Sequence, residues 1–169
     1  DIAAGIYYLH SQDPPIVHGD IRGVSIMGCQ ANILVTDDLR CCLADFGLSV
    51  ISTESQAWTI ATSSSFLKGA IHWLAPEYIS PDTSPKAPHT SRDIYAFGCT
   101  IVEILTRKVP FHNCPSETAV LLSLLNGQRP TRPENVWCPD RLWGLAVQCW
   151  EQDSRNRPSA HAIHIILQR

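Results

Sequence analysis

Residues 18–23 read His18-Gly19-Asp20-Ile21-Arg22-Gly23, and Ala31-Asn32 follow a few positions later. Two further short motifs stand downstream: Asp45-Phe46-Gly47, then Ala75-Pro76-Glu77, preceded by Gly69-Ala70-Ile71-His72-Trp73-Leu74. Each alone is weak, because a three-residue match arises often by chance. Their order, and what lies between them, is informative. Between the first two, Ile33-Leu34-Val35, a turn at Asp37-Asp38 and Cys41-Cys42-Leu43 predict a small β-hairpin. Between the last two, residues 48–68 are dense in Ser and Thr and hold no sustained period, so they read as a long flexible loop. Loops longer than about 15 residues inside a compact domain are usually functional.

Working outward, Ile2, Ile6 and Leu9 recur at helical spacing, so residues 1–11 read as the end of a helix broken by Asp13-Pro14-Pro15. Residues 91–168 read as helices. Ile94, Phe97, Ile101, Ile104 and Leu105, flanked by Val102, predict a helix that is apolar on most sides and buried. A second helix is expected from Ser116 to Asn126, closed by Gly127 and Pro130. Leu142, Leu145, Ala146, Cys149 and Trp150 form another stripe, and Ser159 suits the cap of a last helix running through Leu167.

Composition narrows the function. The net charge of −3 argues against a nucleic-acid footprint, which needs a basic stripe. No apolar run approaches the ~18 residues of a membrane span. The first residues lack the basic and apolar regions of a signal peptide and read as a cut edge. Charged residues are 17%, against a usual ~25%, so part of the surface is expected to be covered. Seven cysteines without a C-x-x-C pair read as buried reduced thiols in a cytoplasmic protein rather than as a zinc site. The His161/His164 pair reads as helix-face residues, not metal ligands.

The ordered motifs resemble the C-terminal lobe of a eukaryotic protein kinase, over essentially the whole chain. The wording is closest to the tyrosine-kinase-like group and is similar to the kinase families of mushroom-forming fungi. The resemblance implies a mainly α fold with a small β-hairpin, the C-terminal lobe of the α+β kinase fold with its N-terminal lobe absent. It implies a catalytic loop at 18–32, a metal loop at 45–47, an activation segment at 45–77 and a helical subdomain at 91–168. In it, Asp20 would accept the proton of the substrate hydroxyl and Arg22 would face the γ-phosphate. Asn32 and Asp45 would hold Mg²⁺, a hard cation that prefers oxygen. His18 and Phe46, beside Gly47, would join the catalytic loop to the metal loop. Asp93 would hold the catalytic-loop backbone, and Glu77 would pair with Arg157. Thr59, Thr62, Ser63, Ser64 and Ser65 are candidate phosphorylation sites, with a merely solvated loop as the rival reading.

Four departures from the family pattern bear on activity. No Gly-rich phosphate loop, strand Lys or partnering helix Glu is found, so the chain holds half of a nucleotide site. Asn32 lies twelve residues after Asp20, where the family spacing is five. Removing residues 24–30 restores Asp-Ile-Arg-Gly-Ala-Asn, so these seven read as an insertion. Lengthening the intervening loop from 4 to 11 residues costs only ~0.9 kcal/mol of closure entropy. Catalysis is less forgiving, since ~1 Å of misplacement can cost about a hundredfold. Gly19 replaces the Arg that would meet an activation-loop phosphate, and Ala70 stands where Ser/Thr kinases carry a hydroxyl. The expectation is therefore a family that transfers the γ-phosphoryl of ATP, with Mg²⁺, to a protein hydroxyl, Ser/Thr favoured over Tyr. The chain alone is expected to be inactive and to bind nucleotide weakly without the missing N-lobe. The alternative is a pseudokinase or protein-interaction module.

Overall fold

The computed structural model describes residues 1–25, 32–45, 50–51, 70–79 and 88–168. Five α-helices, three short 3₁₀ turns and two small sheets make up the regular structure among them. The helices are α1 (Ile2–His10), α2 (Ser91–Thr106), α3 (Glu117–Leu125), α4 (Asp140–Cys149) and α5 (Ala160–Gln168). The strands are β1 (Ile16–Val17), β2 (Val24–Ser25), β3 (Ile33–Val35), β4 (Cys41–Leu43) and β5 (Val50–Ile51).

Helix α2 is the axis of the fold. Every residue from Ser91 to Val102 is buried. The apolar stripe explains this only in part, because polar Asp93 and Thr100 are buried too. The stripe overreaches at the far end: Ile104 is exposed and Leu105 half-buried, where the helix leaves the core. Helix α4 packs against α2 so closely that Gly98 has no room for a side chain. A Cβ there would lie 2.6 Å from Trp150 Nε1 and 2.7 Å from Cys149 Cβ. Gly98→Ala is therefore expected to destabilise the fold. The helix-propensity gain of ~1 kcal/mol opposes an overpacking cost of typically ~1–3 kcal/mol. An unchanged or higher urea midpoint would contradict this packing.

The other helices end where the sequence punctuates them. The Ser116 hydroxyl accepts from Ala119 N (3.2 Å), capping α3, and Ser159 does the same for Ala162 N (3.2 Å) at α5. Helix α1 lies on α5, with the Tyr7 ring 5.0 Å from that of His161 and 5.5 Å from that of His164.

Strands β3 and β4 form the expected hairpin, with Ile33 opposite Leu43 and Val35 opposite Cys41. Two strands lie where loops were expected. The first residues of the inserted segment, Val24–Ser25, form β2 and pair in parallel with β3, Val24 opposite Ile33. Val50–Ile51, inside the stretch read as a loop, pair antiparallel with β1, Ile16 opposite Ile51. Both are two-residue strands, too short to show the alternation that marks a strand in sequence. The described cysteines also divide: Cys99 and Cys149 are buried, but Cys42 is exposed and Cys41, Cys114 and Cys138 are intermediate, these six being free, while Cys29 lies outside the described residues. Among the described residues no helix is long and apolar enough to cross a membrane.

Candidate active site

The segment 18–23 is held by the first turn of α2. Asp93 accepts from His18 N (2.8 Å, Oδ2) and from Gly19 N (2.9 Å, Oδ1), and His10 Nε2 lies 2.9 Å from Oδ2. With Asp93 only 1% exposed, these bonds replace the water that the carboxylate has lost. Gly19 has φ +81°, a backbone region in which glycine is at ease and a side chain is strained. Glycine at this position thus has a backbone reason.

His18 is fully buried and links two motifs. Its Nδ1 accepts from Asp20 N (3.3 Å), so the ring proton sits on Nε2, which donates to Ala44 O (3.1 Å). Ala44 N in turn donates to Asn32 O (2.8 Å). Asp45, next in the chain, is exposed with φ +58°.

The inserted residues do not separate Asp20 from Asn32. Asn32 N donates to Arg22 O (3.1 Å), closing the loop at its base. The Asn32 amide donates through Nδ2 to Asp20 O (2.7 Å) and to Asp20 Oδ2 (2.6 Å). Arg22 Nε stands 2.8 Å from Asp20 Oδ1. Asp20 is 8% exposed and opens on a small cleft walled by Ile21, Ala70, Trp73 and Tyr78. The methyl of Ala70 offers that cleft no hydrogen bond. Arg92 lies over the Tyr78 ring at 4.6 Å. Burial pushes the Tyr78 hydroxyl up to about 12 and lowers the Arg92 guanidinium to about 10. Neither changes charge near neutral pH.

Because both Nδ2 bonds of Asn32 go to Asp20, its amide oxygen is the atom left to face a cation. Mg²⁺ prefers hard oxygen donors, the chemistry of Asn32 Oδ1 and of the Asp45 carboxylate. Among the described residues no group of three His, Cys, Asp or Glu side chains could hold a metal. Mg²⁺ needs no such cage, since it binds through one or two carboxylates together with phosphate and water oxygens.

Away from the cleft, Glu77 and Arg157 form a buried two-pronged pair at 2.6 and 2.8 Å. Phe46, Gly47, Thr59, Thr62, Ser63, Ser64 and Ser65 lie outside the described residues.

The family model for protein tyrosine and serine/threonine kinases matches residues 1–167. The chain belongs to the protein kinase family. Its relatives include the probable serine/threonine-protein kinase drkD of Dictyostelium discoideum, 31% identical over 99% of this chain and 11% of that protein. The serine/threonine-protein kinase mos of Patiria pectinifera is 33% identical over 99% of this chain and 44% of its own length. The dual specificity protein kinase shkC of D. discoideum is 34% identical over 99% and 31%. The chain thus spans less than half the length of each of these kinases. Protein kinases use ATP and Mg²⁺ and act on proteins, and the mainly helical architecture with its small hairpin is that of a kinase C-terminal lobe.

Two residues of this kinase fold were missed in the sequence. His10 belongs to none of the motifs, yet it reaches Asp93. Glu103 reads only as a charge interrupting the apolar run of α2. Its Oε2 accepts from Gly23 N (3.1 Å) and Trp73 Nε1 (3.0 Å). A carboxylate inside the apolar stretch that follows Asp93 along α2 is a signal that it has partners.

Proposed function

We propose that this chain carries the acceptor side of a phosphoryl-transfer site, acting on protein hydroxyls with Ser/Thr favoured over Tyr. The observation that supports it most is the 2.6 Å contact between Asn32 Nδ2 and Asp20 Oδ2, residues twelve apart in the chain. A surviving contact across an insertion fits a working site better than a drifting one.

In this reading Asp20 takes the proton of the attacking hydroxyl at its carboxylate. Asn32 holds Asp20 in place, and Arg22 places a cation beside it. Asn32 Oδ1 and Asp45 would hold Mg²⁺. Bound Mg·ATP supplies the phosphoryl group and the cation that neutralises its charge. The remaining nucleotide contacts fall to an N-terminal lobe. The catalytic loop then spans 18–32, the metal loop 45–47, the activation segment 45–77 and the helical subdomain 91–168. Gly19 favours the interaction-module reading, since it removes a cation from the loop. Its positive φ supplies a backbone reason that does not require lost catalysis.

The test is label transfer from γ-labelled ATP to casein by the full-length protein. Mg²⁺-dependent labelling of casein Ser or Thr, abolished by EDTA, is expected. No labelling, with no rise in melting temperature on adding Mg·ATP, would favour the interaction module. Ligand at 100 times its Kd would stabilise the fold by ~2.7 kcal/mol, a visible shift.

A further inference from the structure

The cleft onto which Asp20 opens carries a charge that the proposed transfer does not use. Its walls are mostly apolar, Ile21, Ala70, Trp73 and Leu74 among them, around about 330 Å³ of space open to solvent. Three charged residues also line it: Asp20, Arg92 and Asp93. Both carboxylates are engaged. Asp20 accepts from Asn32 and stands beside Arg22. Asp93 accepts from the His18 and Gly19 amides and meets His10. Among the described residues of this lining, Arg92 is the cation.

The fold sets Arg92 firmly in place. It stands in the first turn of α2, is 7% exposed, and lies 4.6 Å over the centre of the Tyr78 ring. Stacking covers one face of a planar group whose five N–H donors point outward around its edge. The edge is therefore the part that meets an acceptor. Burial lowers the Arg92 guanidinium only to about 10, so it stays charged near neutral pH. Burial raises the Tyr78 hydroxyl to about 12, so the ring beneath adds no competing charge. Glu77, next to Tyr78 in the chain, gives both oxygens to Arg157. A cation walled by apolar side chains is poorly screened by water and salt and acts strongly on a charge entering the cleft.

We propose that Arg92 is a specificity-determining residue: it selects acceptor hydroxyls flanked by Asp or Glu and rejects those flanked by Lys or Arg. The reaction it serves rests on the phosphoryl-transfer reading above; the binding preference does not. Consecutive residues of a bound peptide lie about 3.8 Å apart. With an acceptor hydroxyl at Asp20, the side chain of its neighbour therefore falls in the same cleft. A carboxylate there takes two parallel N–H bonds from the guanidinium fork. A cationic side chain meets like charge instead. Arg22 offsets the charge of Asp20, which would otherwise repel a second carboxylate.

The test uses the full-length protein and peptides of Ala and Gly with a single Ser, carrying Glu, Gln or Lys on either side of it. At one flanking position Glu is expected to raise kcat/KM over Gln about tenfold, the scale of a hydrogen bond between charged groups. Lys at that position should fall below Gln. Arg92→Met should bring Glu and Gln within about twofold of each other, and Arg92→Glu should make Lys the preferred neighbour. Equal kcat/KM for Glu and Gln at both positions in wild type would overturn the proposal. So would a Glu preference that survives Arg92→Met. If Arg92→Met does not fold, Arg92→Lys keeps the charge but loses the fork, and must cut the Glu preference at least about threefold. An undiminished preference there overturns the proposal. If wild type phosphorylates none of the peptides, the same peptides carrying fluorescein are read by anisotropy, with casein as the control for transfer. Tighter binding of the Glu peptide, lost in Arg92→Met, keeps the preference, and absent casein labelling then sinks the kinase reading alone. Equal or undetectable binding overturns the proposal, whatever casein shows.

Discussion

Arg157→Leu is expected to destabilise the protein by about 3–5 kcal/mol, the usual consequence of leaving a buried charge without its partner. The Arg157 and Glu77 side chains are 0% and 4% exposed, so the Glu77 carboxylate would have no water to turn to. Arg157 does more than pair. Its Nη1 also donates to Ser91 O (3.0 Å), its Nε to Glu151 O (3.0 Å), and its guanidinium lies 5.1 Å from the Tyr95 ring centre. One side chain thus joins the 70–79 segment, the start of α2 and the turn after α4. For a domain of this size each kcal/mol moves Tm by roughly 2–4 °C, so a fall of about 6–20 °C is expected. Glu77→Leu alone should cost a similar amount. Glu77→Leu/Arg157→Leu should cost much less than the two single changes added together, because neither charge is then left alone. Additive losses in thermal unfolding would contradict a coupled pair.

Asp20→Asn is expected to lower phosphoryl transfer to casein by about 10²–10⁴-fold, the usual contribution of a positioned general base. The change is nearly isosteric, so any loss of stability comes from the contacts of the carboxylate rather than from packing. Asp20 now accepts a hydrogen bond from Asn32 at Oδ2 and stands in an ion pair with Arg22 at Oδ1. An amide can still present its oxygen to Asn32, but it carries no charge for Arg22 and cannot take a proton from a hydroxyl near neutral pH. A variant that keeps more than a tenth of wild-type transfer would remove Asp20 from the role of base. A variant that unfolds would show instead that its contacts are chiefly structural.

The helices were largely legible because each carries its own signal. Apolar spacing marked α1, α2 and α4, Ser116 and Ser159 marked two starts, and Gly127 marked an end. The hairpin was legible from the β-branched Ile33 and Val35, the turn at Asp37-Asp38 and the Cys41-Cys42-Leu43 return. Strands β2 and β5 were not, because a two-residue strand owes its existence to its partner rather than to its own pattern. The same holds for the site. Asp20, Asn32 and Asp45 stand out because their motifs are ordered along the chain. That Asn32 still reaches Asp20 was not legible, since spacing in sequence cannot show how a loop closes. One closing bond joins two backbone groups, Asn32 N and Arg22 O, and the other runs from Gly23 N to the Glu103 side chain, so both donors are backbone groups that carry no signal in the sequence.

Deleting residues 24–30 tests this closure most directly. The bonds at Arg22, Gly23 and Glu103 already bring Asn32 onto Asp20, so the shortened and intact full-length proteins should phosphorylate casein within about tenfold of each other. A gain of about a hundredfold or more on deletion, the scale expected from correcting a ~1 Å displacement, would contradict it. It would mean that the insertion, not the helix beneath it, decides where Asn32 lies.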